Sequence, residues 1–100
     1  AQTSGLNWGL DRIDQSFGLD GIYHTPERLT GANVQAYLLD TGIRTTHKDF
    51  ENRAMPSLEV LGSGLFVCSQ NDPSCAADNN GHGTRSAGAI GGVVYGGAKA

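Results

Sequence analysis

Residues 79–92 read NNGHGTRSAGAIGG, and the fold turns on how this stretch is read. His82 stands between Gly81 and Gly83 at the head of a run of small residues. Asn79 and Asn80 precede it, and asparagine is suited to satisfying free backbone N–H groups at a helix start. Residues 84–90 predict a helix in spite of Gly83 and Gly88, each of which costs about 1 kcal/mol against alanine in a helix interior. Close packing of that helix against a sheet or another helix is the expected compensation. A histidine in the first turn of such a helix is fixed by the backbone, and its flanking glycines leave room for a substrate and a second side chain.

To act as a general base, that histidine needs an orienting carboxylate on one ring nitrogen and a nucleophile on the other. Residues 34–39, VQAYLL, are a short apolar run after Gly31 and Asn33. Its length and its β-favouring Val34 and Tyr37 predict a buried strand. The run stops at Asp40, with Thr41 and Gly42 behind it. Open α/β sheets place their sites at the C-terminal ends of strands, which makes Asp40 the candidate orienter. Its charge would stabilise the imidazolium formed during proton transfer and fix the tautomer. The helix N-terminus opposes the charged ring. Taken singly, a histidine near a helix start is a surface or capping residue, and an aspartate after a strand is a turn former. The pair of contexts, LLDTGI followed by NGHGT, is what argues for chemistry.

The rest of the chain sets bounds. Its 100 residues suffice for one small domain with a modest core. With 38% hydrophobic and 17% charged residues it belongs with globular chains. A net charge of −3 and the lack of a basic cluster with interleaved aromatics argue against nucleic acid or an acidic membrane as partner. No apolar run reaches the roughly 18 residues of a membrane-spanning helix. An opening Ala1, with no Met and no leader, is expected of a processed terminus. The glycines do not make a phosphate loop: Gly81–His82–Gly83 and Gly62–Ser63–Gly64 lack the third glycine of GxGxxG, and Gly96–Gly97–Ala98–Lys99 does not fit GxxxxGK[ST]. NWGLDRIDQ predicts one short helical turn with Trp8, Leu10 and Ile13 as apolar contacts. Residues 58–67, LEVLGSGLFV, predict a strand broken by Gly62 and Gly64, and residues 44–53 a polar surface segment. Cys68 and Cys75 bound a loop. They read as a local disulfide of a secreted protein, with free thiols as the alternative; a zinc site lacks the CxxC or HxxxH spacing.

On these residues the chain resembles the subtilisin-like serine proteases, in particular the proteinase K branch, along nearly its whole length. AYLLDTGIRTTHKDFENR, residues 36–53, is similar to the family's catalytic-aspartate motif, with Asp40 as the carboxylate. NGHGTRSAGAIGG is similar to its catalytic-histidine motif, with His82 as the base. NWGLDRIDQ resembles the start of the mature enzyme, and YGGAKA the stretch after the helix. The resemblance implies an α/β fold with a doubly wound parallel sheet, helices on both faces. Residues 1–100 would be the N-terminal part of a single peptidase domain. The Asp-before-His order is a family property and not something spacing reveals.

Two departures stand out. The family reads HGTH where this chain reads HGTR, so Arg85 replaces a histidine, as in the kexin and furin relatives; their aspartate motif nevertheless differs from DTGI. A buried Arg85 would need an anion or carbonyl partner. The second departure is that no GTSMA-like nucleophile motif occurs. Ser4, Ser16, Ser57, Ser63, Ser69, Ser74 and Ser86 lie in unrelated contexts, and the family's oxyanion-binding asparagine is missing. The resemblance therefore implies a secreted serine endopeptidase acting on peptides and proteins. This chain supplies the acid and the base, and the nucleophilic serine lies in a C-terminal portion, expected on a second chain after nicking or splitting, or on a part beyond these residues. The competing readings are a non-catalytic homologue acting as a binding module, and a small metal-binding or structural domain.

Asp11, Asp14, Gln15 and Asp20 put four hard oxygen donors within ten positions, the donor type calcium takes. Some proteinase K relatives have a calcium site here, though the loop after Gln15 is one residue shorter in this chain. The alternative is a turn held by Arg12 pairing and solvent. The acidic loop with Asp72 and Asp78 is a weaker second calcium candidate.

Overall fold

The structure is a computed structural model that describes residues 8–26 and 29–97. Asn7, Ser4 and the Ala98–Lys99 end of the glycine-rich tail lie outside the described residues. The chain divides into two compact units, Ala1–Gln35 and Ala36–Ala100.

In the first unit, helix α1 spans Trp8–Ile13. It buries its acid and not its apolar residues: Asp11 is 4% exposed, while Trp8 and Ile13 are each 72% exposed. Of the three expected apolar contacts, Leu10 is half-buried while Trp8 and Ile13 stay mostly exposed, and Asp11 does the anchoring. Its two oxygens accept the N–H groups of Asp20 at 3.1 Å and Gly21 at 2.8 Å. A buried carboxylate is tolerated when backbone donors satisfy it in this way.

The second unit contains strands β1 (Leu58–Leu61) and β2 (Gly64–Val67) and helix α2 (His82–Gly91). β1 and β2 form an antiparallel hairpin with Leu61 opposite Gly64. Gly62 and Ser63 close it, and only Gly62 has positive φ, at 58°. A two-residue turn with glycine at a positive-φ first position is the II′ connection that matches strand twist. The glycines that the sequence reading took to break one strand thus join two. Residues 34–39 are not a strand, and Val34, Tyr37 and Leu39 are exposed. The reason lies in reach: a hairpin pairs residues three to nine apart, whereas a parallel strand needs a partner delivered by a crossover of a dozen residues or more.

Ahead of β1, Lys48–Phe50 makes one turn of 3-10 helix capped by the His47 ring, whose Nδ1 accepts the Asp49 N–H at 3.1 Å. Phe50, at 5% exposure, is the buried hydrophobic side chain of the described residues, in a segment expected to be wholly surface. The Asp49 carboxylate then takes the N–H groups of Val94 at 2.8 Å and Tyr95 at 3.2 Å, fixing the chain beyond α2. Cys68 and Cys75 form a disulfide, as preferred from the sequence, with Cα atoms 5.7 Å apart. Beside it, Ala76 C=O accepts the Ile43 N–H at 3.0 Å, which ties this loop to the segment after Asp40.

Candidate active site

Asp40 and His82 are 42 residues apart in sequence and adjacent in space. His82 Nδ1 is 2.9 Å from Asp40 Oδ1 and 3.0 Å from Oδ2. The Thr41 N–H donates to Asp40 Oδ1 at 2.7 Å. That donor first, and the His82 ring second, hold the Asp40 carboxyl below the ordinary carboxylate range. The Asp40 side chain is 15% exposed and that of His82 67%. With Nδ1 engaged, His82 Nε2 makes no hydrogen bond among the described residues. An imidazole so held has one fixed nitrogen and one open to a reacting group.

The local sequence explains how the ring is placed. α2 begins at His82 after Gly81, whose φ of 100° is closed to most side chains. Three N–H groups of the first turn have no partner within the helix, and each finds a side chain. His82 N–H goes to Asn80 Oδ1 at 3.2 Å, Gly83 N–H to Thr41 Oγ1 at 2.9 Å, and Thr84 N–H to Asp78 Oδ2 at 2.9 Å. Asn80, two residues ahead of the helix, is legible as a cap; Thr41 is not, because it comes from a segment some forty residues away in sequence, nor is Asp78, which lies further back in the loop. Gly83 packs closely, against the loop after Asp40 and not against a sheet or another helix as expected, since a Cβ there would lie 2.1 Å from Gly42 O. At Gly88 a Cβ would meet nothing within 4 Å, so its expected packing is not found among the described residues. There the tightness falls on Gly96, whose Cβ would meet Gly88 O at 2.1 Å.

Arg85 is exposed, and no carboxylate pairs with it among the described residues. The partner expected for a buried guanidinium is not needed, because water solvates an exposed one. Arg85 shares an open groove with Arg44, His47 and Tyr95.

Of the four candidate oxygen donors of the first unit, the three aspartates accept hydrogen bonds. Asp11 accepts two backbone N–H groups, as described above. Asp14 Oδ2 accepts the His24 N–H at 2.5 Å, and Gln15 Nε2 donates to Phe17 O at 2.9 Å. Asp20 Oδ1 accepts the Ile22 N–H at 2.9 Å, and its Oδ2 lies 3.3 Å from His24 Nε2. Arg12 does not pair with an aspartate here; its guanidinium donates to Gln15 O at 3.0 Å. Among the described residues no group of three or more His, Cys, Asp or Glu side chains is placed to hold a metal ion. Asp14 Oδ1, however, is buried without a partner, an oxygen that a hard cation would suit. In the weaker acidic loop the carboxylates are taken up by protein donors: Asp72 by Ser74, and Asp78 by residues on both sides of the Asp40–His82 couple.

A family model described as the Subtilase family matches residues 31–98, and the chain belongs to that family. The family carries an α/β fold, of which the described residues hold two helices and a hairpin. The chain is 44% identical to the extracellular serine proteinase of Thermus sp. (strain Rt41A), with 99% of this chain and 22% of that protein covered. It is 42% identical to alkaline serine exoprotease A of Vibrio alginolyticus (98% and 16%) and 40% identical to proteinase T of Parengyodontium album (92% and 28%). It thus spans less than a third of the length of these relatives. Nothing in these similarities supports the expected second chain. No solved structure matches.

Proposed function

We propose that this chain is the N-terminal part of a secreted serine endopeptidase domain in which Asp40 orients His82 and His82 acts as general base. The observation that carries the reading is the Asp40 carboxylate at 2.9 and 3.0 Å from His82 Nδ1, bridging 42 residues. With that nitrogen held, Nε2 takes the proton of a serine hydroxyl from the remaining portion of the domain. The serine attacks the scissile carbonyl, and the imidazolium returns the proton to the leaving amine. Water then hydrolyses the acyl-enzyme. Asp40 stays ionised throughout, in keeping with the donors that hold its carboxyl low. Extended peptides and proteins are the substrates. The remaining strands of the domain complete a doubly wound parallel sheet over the apolar residues exposed here.

Calcium is proposed as a structural ligand in the first unit. Asp14 Oδ1 is its anchor, with Asp11, Gln15 and Asp20 as the other donors. Its charge would satisfy the buried Asp14 oxygen that has no protein donor.

The test is active-site labelling of the full-length protein with a fluorophosphonate. One label per chain is expected, with labelling and peptide hydrolysis lost in His82→Ala while an inhibitory peptide still binds. A fresh full-length protein that neither takes label nor cleaves peptide would make it a non-catalytic relative.

A further inference from the structure

We propose that Asp78 is a positioning residue for the Asp40–His82 couple, acting through Thr41 and Thr84 to fix the distance between acid and base. The inference rests on the peptidase reading above and adds to it a residue that touches neither reacting atom.

Five donors converge on this one carboxylate. Oδ1 accepts Thr41 Oγ1–H at 2.8 Å, Asn80 N–H at 3.0 Å and Gly81 N–H at 2.9 Å. Oδ2 accepts Thr84 N–H at 2.9 Å and Thr84 Oγ1–H at 2.6 Å. Thr41 directly follows the acid, Gly81 directly precedes the base, and Thr84 is two residues beyond it.

The direction of the hydroxyl bonds gives the arrangement its function. A hydroxyl has one proton, and a carboxylate only accepts. Thr41 must give its proton to Asp78, which leaves its oxygen to accept Gly83 N–H from α2 at 2.9 Å. Thr84 likewise gives its proton to Asp78, and its oxygen accepts Arg44 N–H from the Asp40 segment at 3.0 Å. Each segment thus takes an N–H of the other through a hydroxyl that the same carboxylate orients. The Asp40 segment and the start of α2 are laced in both directions, and the base is held opposite the acid. The donors drive the Asp78 carboxyl well below the ordinary range, Thr84 Oγ1–H first and Gly81 N–H second, so the lacing is intact at any neutral pH. An amide cannot replace it, because the NH2 group of an asparagine would face the Thr84 N–H as a second donor.

The experiment uses the full-length protein with Asp78→Asn, Thr41→Val and Thr41→Ser. Hydrolysis of a chromogenic peptide anilide is measured as kcat and KM, normalised to the folded fraction. Asp78→Asn and Thr41→Val are expected to lower kcat by about 10- to 100-fold, the scale of a small misplacement of catalytic groups, with KM within about twofold. Thr41→Ser keeps the hydroxyl and should recover most of what Thr41→Val loses. The downfield proton resonance of His82 Nδ1–H should move upfield or broaden in the first two variants and be restored in the third.

A kcat within twofold of wild type in both Asp78→Asn and Thr41→Val overturns the proposal. So does a Thr41→Ser protein as impaired as Thr41→Val, or an unchanged Nδ1 proton. If Asp78→Asn does not fold, the Thr41 pair decides. Failure of the peptidase reading looks different: wild type would neither cleave nor take label, and the Nδ1 proton would then report the lacing by itself.

Discussion

Replacing Gly83 by alanine sets two effects of opposite sign against each other at one atom. Alanine is favoured over glycine inside a helix by about 1 kcal/mol. Against that, the added Cβ would stand 2.1 Å from Gly42 O and 3.1 Å from Gly42 C and N, where real Cβ atoms essentially never come within 3.0 Å. The obstacle is backbone on all three counts, so no side chain can swing away. Either α2 or the Asp-Thr-Gly turn must retreat by roughly 1 Å, and overpacking of that kind costs about 1–3 kcal/mol. The clash is the larger effect over most of that range, so the protein should lose up to about 2 kcal/mol of stability. The retreat also lengthens Gly83 N–H to Thr41 Oγ1, now 2.9 Å, and moves His82 from Asp40. A displacement of that size costs on the order of 100-fold in turnover. The assay is kcat on a peptide anilide, scaled by fluorophosphonate titration, with denaturant unfolding followed on the inhibited protein so that autolysis does not intrude. A Gly83→Ala protein with wild-type kcat and equal or greater stability would refute the claim that this contact sets the site.

Four further outcomes are expected. Asp40→Asn should reduce turnover by about 10⁴-fold, the loss known for amidating a serine-protease triad aspartate, while circular dichroism and unfolding stay near wild type; near-normal turnover would remove Asp40 from its role. Because Asp78, Asp40 and Asp49 have folded-state values below the unfolded 3.8, their contribution is present above that value and is lost as pH falls through the folded ones. Stability of the inhibited protein should therefore drop below about pH 4, and less steeply in Asp78→Asn, as read from unfolding midpoints against pH. Reducing Cys68–Cys75, which closes a loop of sequence separation 7, should cost roughly 2–3 kcal/mol; an unchanged unfolding midpoint under reductant would contradict this. Millimolar calcium should raise the melting temperature of wild type but not of Asp14→Ala, and no shift in wild type would remove the ion.

Local sequence determined a good deal here. The helix expected over residues 84–90 forms as His82–Gly91 with Asn80 accepting its first N–H, the preferred disulfide forms, and two compact motifs single out Asp40 and His82 as candidates. Val34, Tyr37 and Leu39 were misread as a buried strand. An apolar run declares that something will cover it but not what, and the chain spans less than a third of the length of the relatives it matches. The tertiary structure alone decided that Asp11 anchors α1 in place of Trp8, that Gly62 joins two strands, and that Gly83 meets Gly42. It alone brought Asp78 between the acid and the base. Asp78 is an ordinary loop aspartate until the chain returns 37 residues later in the count from Thr41 and gives it two hydroxyls to orient. Hydrogen-bond direction across that distance is a property of the folded backbone, and no spacing of residue types encodes it.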